Sequence, residues 1–211
     1  MIRRAALLLL PLLAAACASG GPPEPEFPPP PLNFDHLTPL RLNVAEVRVE
    51  QRYQSPGRPP NVEQDAPVSP AAALRRMAEQ RVFAGGAQGV ATFIIQDASI
   101  RASPVRGQSM FSGDGERYDG NLMVRLEVRG GEPDASGYAT AQVRRSLSLP
   151  DKPSASERRR QLDTMLRQMM ADMNVEFEYQ VRRSLKDWLQ DTATAPTPAP
   201  VQQEDIPMPR S

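Results

Sequence analysis

The chain has one cysteine and one histidine in 211 residues. A single cysteine cannot close an internal disulfide or build a cysteine-based zinc site. His36 alone cannot supply a two-histidine metal site. A serine-type triad would have to recruit it from a linker-like stretch. Aromatics make up only 5% of the chain, so a core must rest on Val, Leu, Ile, Met and Ala. Neither charge is in excess, with 25 basic and 25 acidic residues. That balance creates no global field toward nucleic acid, and no nucleic-acid partner is expected. These absences remove most common catalytic chemistries, and the sequence predicts a non-enzymatic protein without cofactor or metal.

Proline is abundant instead. Its 23 copies are about twice the average share, and they cluster toward the two ends. This predicts disordered ends around one folded middle. The first four residues, Met-Ile-Arg-Arg, are a basic start, and residues 5–16, AALLLLPLLAAA, are an uncharged apolar run. The run is shorter than the roughly 20 residues that cross a bilayer and matches the apolar core of a secretory signal. Ala14, Ala15 and Ala16 lead into Cys17. The stretch LAAAC resembles the lipobox of bacterial lipoproteins. That resemblance implies cleavage before Cys17 and acylation of Cys17. Ala18 follows the cysteine where lipoproteins kept in the inner membrane usually have Asp, which implies export to the outer membrane, facing the periplasm. Multiple acyl chains make such an anchor stable, each buried CH₂ gaining about 0.8 kcal/mol.

Residues 17–35 read as a proline-rich linker, extended at about 3.1 Å per residue. Residues 191–211, including TATAPTPAPVQQEDIPMPRS, read as a disordered tail. The folded domain is expected over 36–190. LRLNVAEVRVEQRY predicts a first strand whose alternation slips by one near Ala45-Glu46, as at a bulge. Ser69-Pro70 starts a helix and Gly85-Gly86 ends it. Val90–Ile100 is a second strand. Residues 103–119 form a long hairpin loop or ribbon, with Gly113-Asp114-Gly115 a turn rather than a calcium loop. NLMVRLEVR is a third strand with Leu122, Val124, Leu126 and Val128 inward. Tyr138–Leu149 is a fourth, placed at an edge or bulged because Arg145 breaks its inward face. Ser154–Leu189 is a long helix with a stripe of Leu162, Leu166, Met169, Met173, Phe177, Val181, Leu185 and Trp188. It is long enough to bend or overhang the sheet. The order β-α-β-β-β-α predicts an α+β two-layer sandwich. Its four-stranded, mainly antiparallel sheet would carry two helices on one face.

Two surfaces stand out as places for a partner or ligand. The outward sheet face carries Arg125, Arg129, Tyr138, Gln142 and Arg144. The long helix crowds Met165, Met169, Met170 and Met173 together, more methionine than a core stripe needs and adaptable to varied apolar partners. Arg158-Arg159-Arg160 reads as a charged first turn beside Glu157 and Asp163. The layout of lipobox, proline stalk and α+β domain is similar to lipopolysaccharide-assembly lipoproteins and to the auxiliary lipoproteins of lipid-transporting ABC systems. It implies an accessory or scaffold in envelope assembly or lipid transport, with a membrane attachment through Cys17 and an envelope protein as partner. A lipid or small hydrophobic ligand carrier, with a pocket under the C-terminal helix, is the alternative expectation.

Overall fold

In the computed structural model, the described residues are 30–106, 114–130, 135–149 and 153–190. Cys17, most of the linker, the turn at Gly113 and the tail from 191 lie outside them. The compact unit starts at Pro31. Its core starts with the buried side chains of Leu32 and Phe34, ahead of the expected boundary at 36. The Phe34 N–H donates to Gln80 Oε1 at 2.9 Å.

The expected first strand is two strands. β1 spans Leu40–Leu42 and β2 spans Glu46–Gln51. The slip in alternation is therefore a break between strands of different sheets, not a bulge. α1 follows at Pro70–Arg81, capped by Ser69 Oγ, which accepts from Ala72 N at 3.2 Å. Proline at its first position fits because that N–H has no partner in a helix. The helix ends before Gly85-Gly86, because Val82–Ala84 turn into β3 and pair in parallel with β1. The Val-Phe pair in that segment suits a strand better than a helix.

β4 spans Val90–Val105, β5 Gly115–Arg129 and β6 Ser136–Leu149. The described ends of the region expected as loop or ribbon are ribbon: Arg101 to Val105 pair with Asp119 to Gly115, and residues 107–113 lie outside the described residues. The sheet order is β2-β4-β5-β6. β4–β5 and β5–β6 are antiparallel. β2 runs parallel to β4, because the chain crosses from one to the other through α1. A bulge between Ile95 and Asp97 shifts the inward set from Ala91, Phe93 and Ile95 to Ala98 and Ile100. β6 is an edge strand in unbroken register with β5, so Arg145 needs the edge and no bulge. It reaches Asp172 at 2.8 Å.

α2 covers Ala155–Ser184, and a single 3-10 turn at Lys186–Trp188 follows. Ser154 Oγ caps it by accepting from Glu157 N at 3.2 Å. Its 30 residues rise about 45 Å, and the 14 residues of β6 rise about 46 Å. Helix and ribbon thus match in length, and the expected overhang is taken up by strand. The stripe from Leu162 to Leu185 is buried, with Phe177 edge-on to Phe93 at 5.3 Å. Each such side chain stabilises the fold by about 1.5–3 kcal/mol. Gly120 sits inward on β5, and a Cβ there would come within 2.7 Å of Met169 Sδ. The bare backbone lets the methionines seat directly on the strand.

Arg81 fastens α1 to α2. It is 1% exposed. Its guanidinium donates to Asn174 O and Oδ1, to Thr38 O, and to Glu178 Oε2 at 2.6 Å. Burial alone would raise the Glu178 pKa, but the hydrogen bonds from Arg81 and Arg182 outweigh it and hold the carboxyl below its ordinary value. A carboxyl lowered on folding stabilises the native state above its unfolded pKa of about 4.3, and that stability is lost as pH falls through the folded pKa. Arg81→Met is expected to cost about 3 kcal/mol near neutral pH. The gap in melting temperature between wild type and variant should narrow as pH falls below about 4, which thermal melts across pH will check.

Candidate functional site

Both helices pack on the inward side of the sheet, and one continuous core joins them to it. The opposite face has no described element over it. Its rows can be read from the register. Val90, Thr92 and Ile94 lie beside Arg129, Glu127 and Arg125, which lie beside Ser136, Tyr138 and Thr140. Beyond the bulge, Asp97 lies beside Met123 and Gln142, Ser99 beside Asn121 and Arg144, and Arg101 beside Asp119 and Ser146. β2 adds Glu46, Arg48 and Glu50 at the other side.

The sequence-predicted face residues fall into two places. Arg125, Arg129 and Tyr138 come together around a surface cavity of about 340 Å³. The Arg125 guanidinium lies 3.8 Å from the Tyr138 ring centroid and 2.8 Å from Glu127. Arg129 reaches the same carboxylate at 3.5 Å. Tyr138 remains 57% exposed. Beneath this end, Ile94 is fully buried although it faces away from the core, in a polar cavity walled by Arg48, Glu50, Arg52 and Glu127.

Arg144 belongs to the other place, a cleft of about 460 Å³. Its floor is a ladder across three strands. Asn121 Nδ2 donates to Asp97 Oδ2 at 2.6 Å, and the Ser99 N–H donates to Asp97 Oδ1 at 2.9 Å. Gln142 extends the ladder, its Nε2 donating to Asn121 Oδ1 at 2.8 Å, and Arg144 Nε faces the same oxygen at 3.4 Å. Asp119 accepts from Ser146 Oγ at 2.5 Å and from Arg117 Nε at 2.9 Å. These two bonds hold its carboxyl below the usual range, Ser146 contributing most.

The cleft wall is the loop after β2, and a buried carboxylate ties it down. Glu63 is 3% exposed. It accepts from the Tyr53 hydroxyl, from Asn61 Nδ2 at 2.7 Å, from Ser55 Oγ at 3.0 Å, and from the Ile100 N–H at 3.2 Å. Burial would raise its pKa, yet Tyr53 and Asn61 hold it below the ordinary value. The Tyr53 phenol is pushed up, first by its own burial and then by its bond to Glu63.

The methionines sit elsewhere. Met165, Met169, Met170 and Met173 are at most 2% exposed. They fill the space between α2 and the sheet, so they present no apolar surface to a partner. The hydrophobic side chains that α2 does expose are Val175 and Tyr179. Arg158 is no free first-turn charge either. It lies 3.2 Å from Glu116, 3.5 Å from Asp65 and 3.1 Å from the Tyr118 hydroxyl. Burial and the bond to Glu116 push the Tyr118 phenol up to about 12.

Tyr53, Asn61, Glu63, Ser99, Arg101 and Asn121 were not singled out from sequence. One signal was present: in ATFIIQDASI, the inward residues change from odd to even positions after Gln96. That change puts Ser99 and Arg101 on the outward face. Among the described residues, no group of three potential metal ligands converges and no helix is long and apolar enough to cross a membrane. No protein-family model matches the chain, and no curated protein matches it in sequence.

Glu63→Gln replaces one accepting oxygen with a donor, which leaves buried donors of the wall unpaired. It is expected to lower stability by about 1–3 kcal/mol. The Tyr53 phenol should then ionise at lower pH than in wild type. Melting curves and ultraviolet titration of the phenolates check both.

Proposed function

We propose that this protein is a lipid-anchored envelope lipoprotein. It faces the periplasm from the outer membrane and works without catalysis, as an accessory or scaffold in envelope assembly or lipid transport. The observation that carries the reading is the join of anchor to domain. LAAAC is followed directly by a proline-rich stretch, and that stretch ends where Leu32 and Phe34 enter the core.

The partner surface in this reading is the outward sheet face, not the long helix. The methionines are consumed in packing, whereas the sheet presents arginines, amides and hydroxyls across four strands. Exposed polar side chains held in a fixed lattice suit recognition better than mobile ones, because less ordering entropy is lost on binding.

The anchor is tested by growing cells on radiolabelled palmitate. Wild-type protein should carry label and fractionate with membranes, and Cys17→Ala should carry none and remain uncleaved. Absence of label in wild type, or undiminished label in the variant, contradicts the anchor.

A further inference from the structure

The cleft beyond the bulge differs from the rest of the outward face in how its charges are matched. Elsewhere on this face, guanidiniums lie against carboxylates: Arg48 on Glu46, Arg52 on Glu50, Arg117 on Asp119, and Arg125 with Arg129 on Glu127. Arg101 and Arg144 both line the cleft. Neither has a carboxylate within ion-pair distance among the described residues. The acceptor Arg144 does reach is neutral, the Asn121 amide oxygen at 3.4 Å. The register puts the two arginines at opposite corners, two strands across and two residues along, with Cα atoms about 12 Å apart.

What lies between the corners is chemically distinct. Asp97 and Asn121 stand side by side, with Ser99, Asp119 and Ser146 around them. Each Asp97 oxygen has one donor in place and lone pairs to spare. The Tyr53 ring and Asn61 form the wall, both tied to buried Glu63. A simple anion would meet Asp97 and Asp119 in the floor and be repelled. A neutral polyol would leave two guanidiniums unmatched. Hydroxyls over the floor with an oxyanion toward a corner satisfy every group, since carboxylates and amides pair with vicinal hydroxyls and guanidinium pairs with carboxylate or phosphate.

We propose that this cleft binds an anionic saccharide, with hydroxyls on Asp97, Asn121 and Ser99 and a carboxylate or phosphate on Arg144 or Arg101. The inference rests on the outward face being the working surface and does not depend on the anchor at Cys17. A cavity of about 460 Å³ falls in the ordinary range for small-ligand sites. The wall is already fixed by the Glu63 bonds, so little of it has to order on binding.

The test is calorimetric titration of the full-length mature protein in detergent with four probes: digalacturonic acid, glucose 1,6-bisphosphate, maltose and inorganic phosphate. At least one of the two charged sugars should bind about tenfold or more tightly than maltose or phosphate. Which one binds distinguishes carboxylate from phosphate as the oxyanion. Arg144→Gln or Arg101→Gln, whichever corner takes the oxyanion, should weaken it by about tenfold. Asn121→Asp, which removes the donor to Asp97 and adds a carboxylate to the floor, should weaken the charged probe further. Arg129→Gln, at the other end of the face, should change nothing. Failure of both charged sugars to bind overturns the proposal, as does equal binding of maltose or phosphate. So does full affinity in both Arg144→Gln and Arg101→Gln, whose exposed positions keep the fold out of the result. If the sugars fail while a protein crosslinks to the same face, the saccharide site is wrong and the partner surface stands.

Discussion

Helix α2 can bury its whole apolar stripe only because the ribbon beneath it is equally long. A 30-residue helix laid on ordinary five- or six-residue strands would leave more than half its stripe in water. Here β4, β5 and β6 run 14 to 16 residues each. Gly120 opens a seat for Met165 and Met169, and Arg145 crosses from the edge strand to Asp172 on the helix. With α1 locked to α2 by Arg81, both helices are committed to one side. The alternation of the strands then dictates that everything polar goes to the other side, and the bare face follows from that commitment.

The layers were legible because they rest on periodicity. Three- and four-residue spacing marked α2, strict alternation marked β5, and Ser-Pro marked the start of α1. The architecture of two helices on one face of a mainly antiparallel sheet follows from those signals. Other features escaped because long-range partners decided them. Nothing local in LRLNVAEVRVEQ says that its halves join different sheets, since β1 is defined by β3 and β2 by β4. Nor does the glycine pair at 85 and 86 reveal that Val82–Ala84 would leave the helix to pair with β1. The ribbon of 101–105 and 115–119 has weak strand composition and is held by register with its neighbours.

The site was legible in part. Arg125, Arg129, Tyr138 and Arg144 were placed on the outward face by alternation alone, and they are there. Their division into an ion-paired end and an unpaired cleft depends on the bulge at Ile95/Asp97 and on a loop folded over Glu63. Both are tertiary features. The methionines misled for a physical reason: a flexible thioether chain fills a core over glycine as readily as it coats a surface. Composition cannot separate those uses, and burial does.

The central claim is that the uncovered sheet face is the contact surface of a tethered domain. The most direct measurement is photocrosslinking in living cells, with a photoreactive residue placed singly at Thr140, Gln142 and Ser148 on the face and at Gln168, Val175 and Tyr179 on the helix, followed by mass spectrometry. The account expects defined adducts from the sheet positions and none from the helix positions. Adducts confined to the helix positions would contradict it.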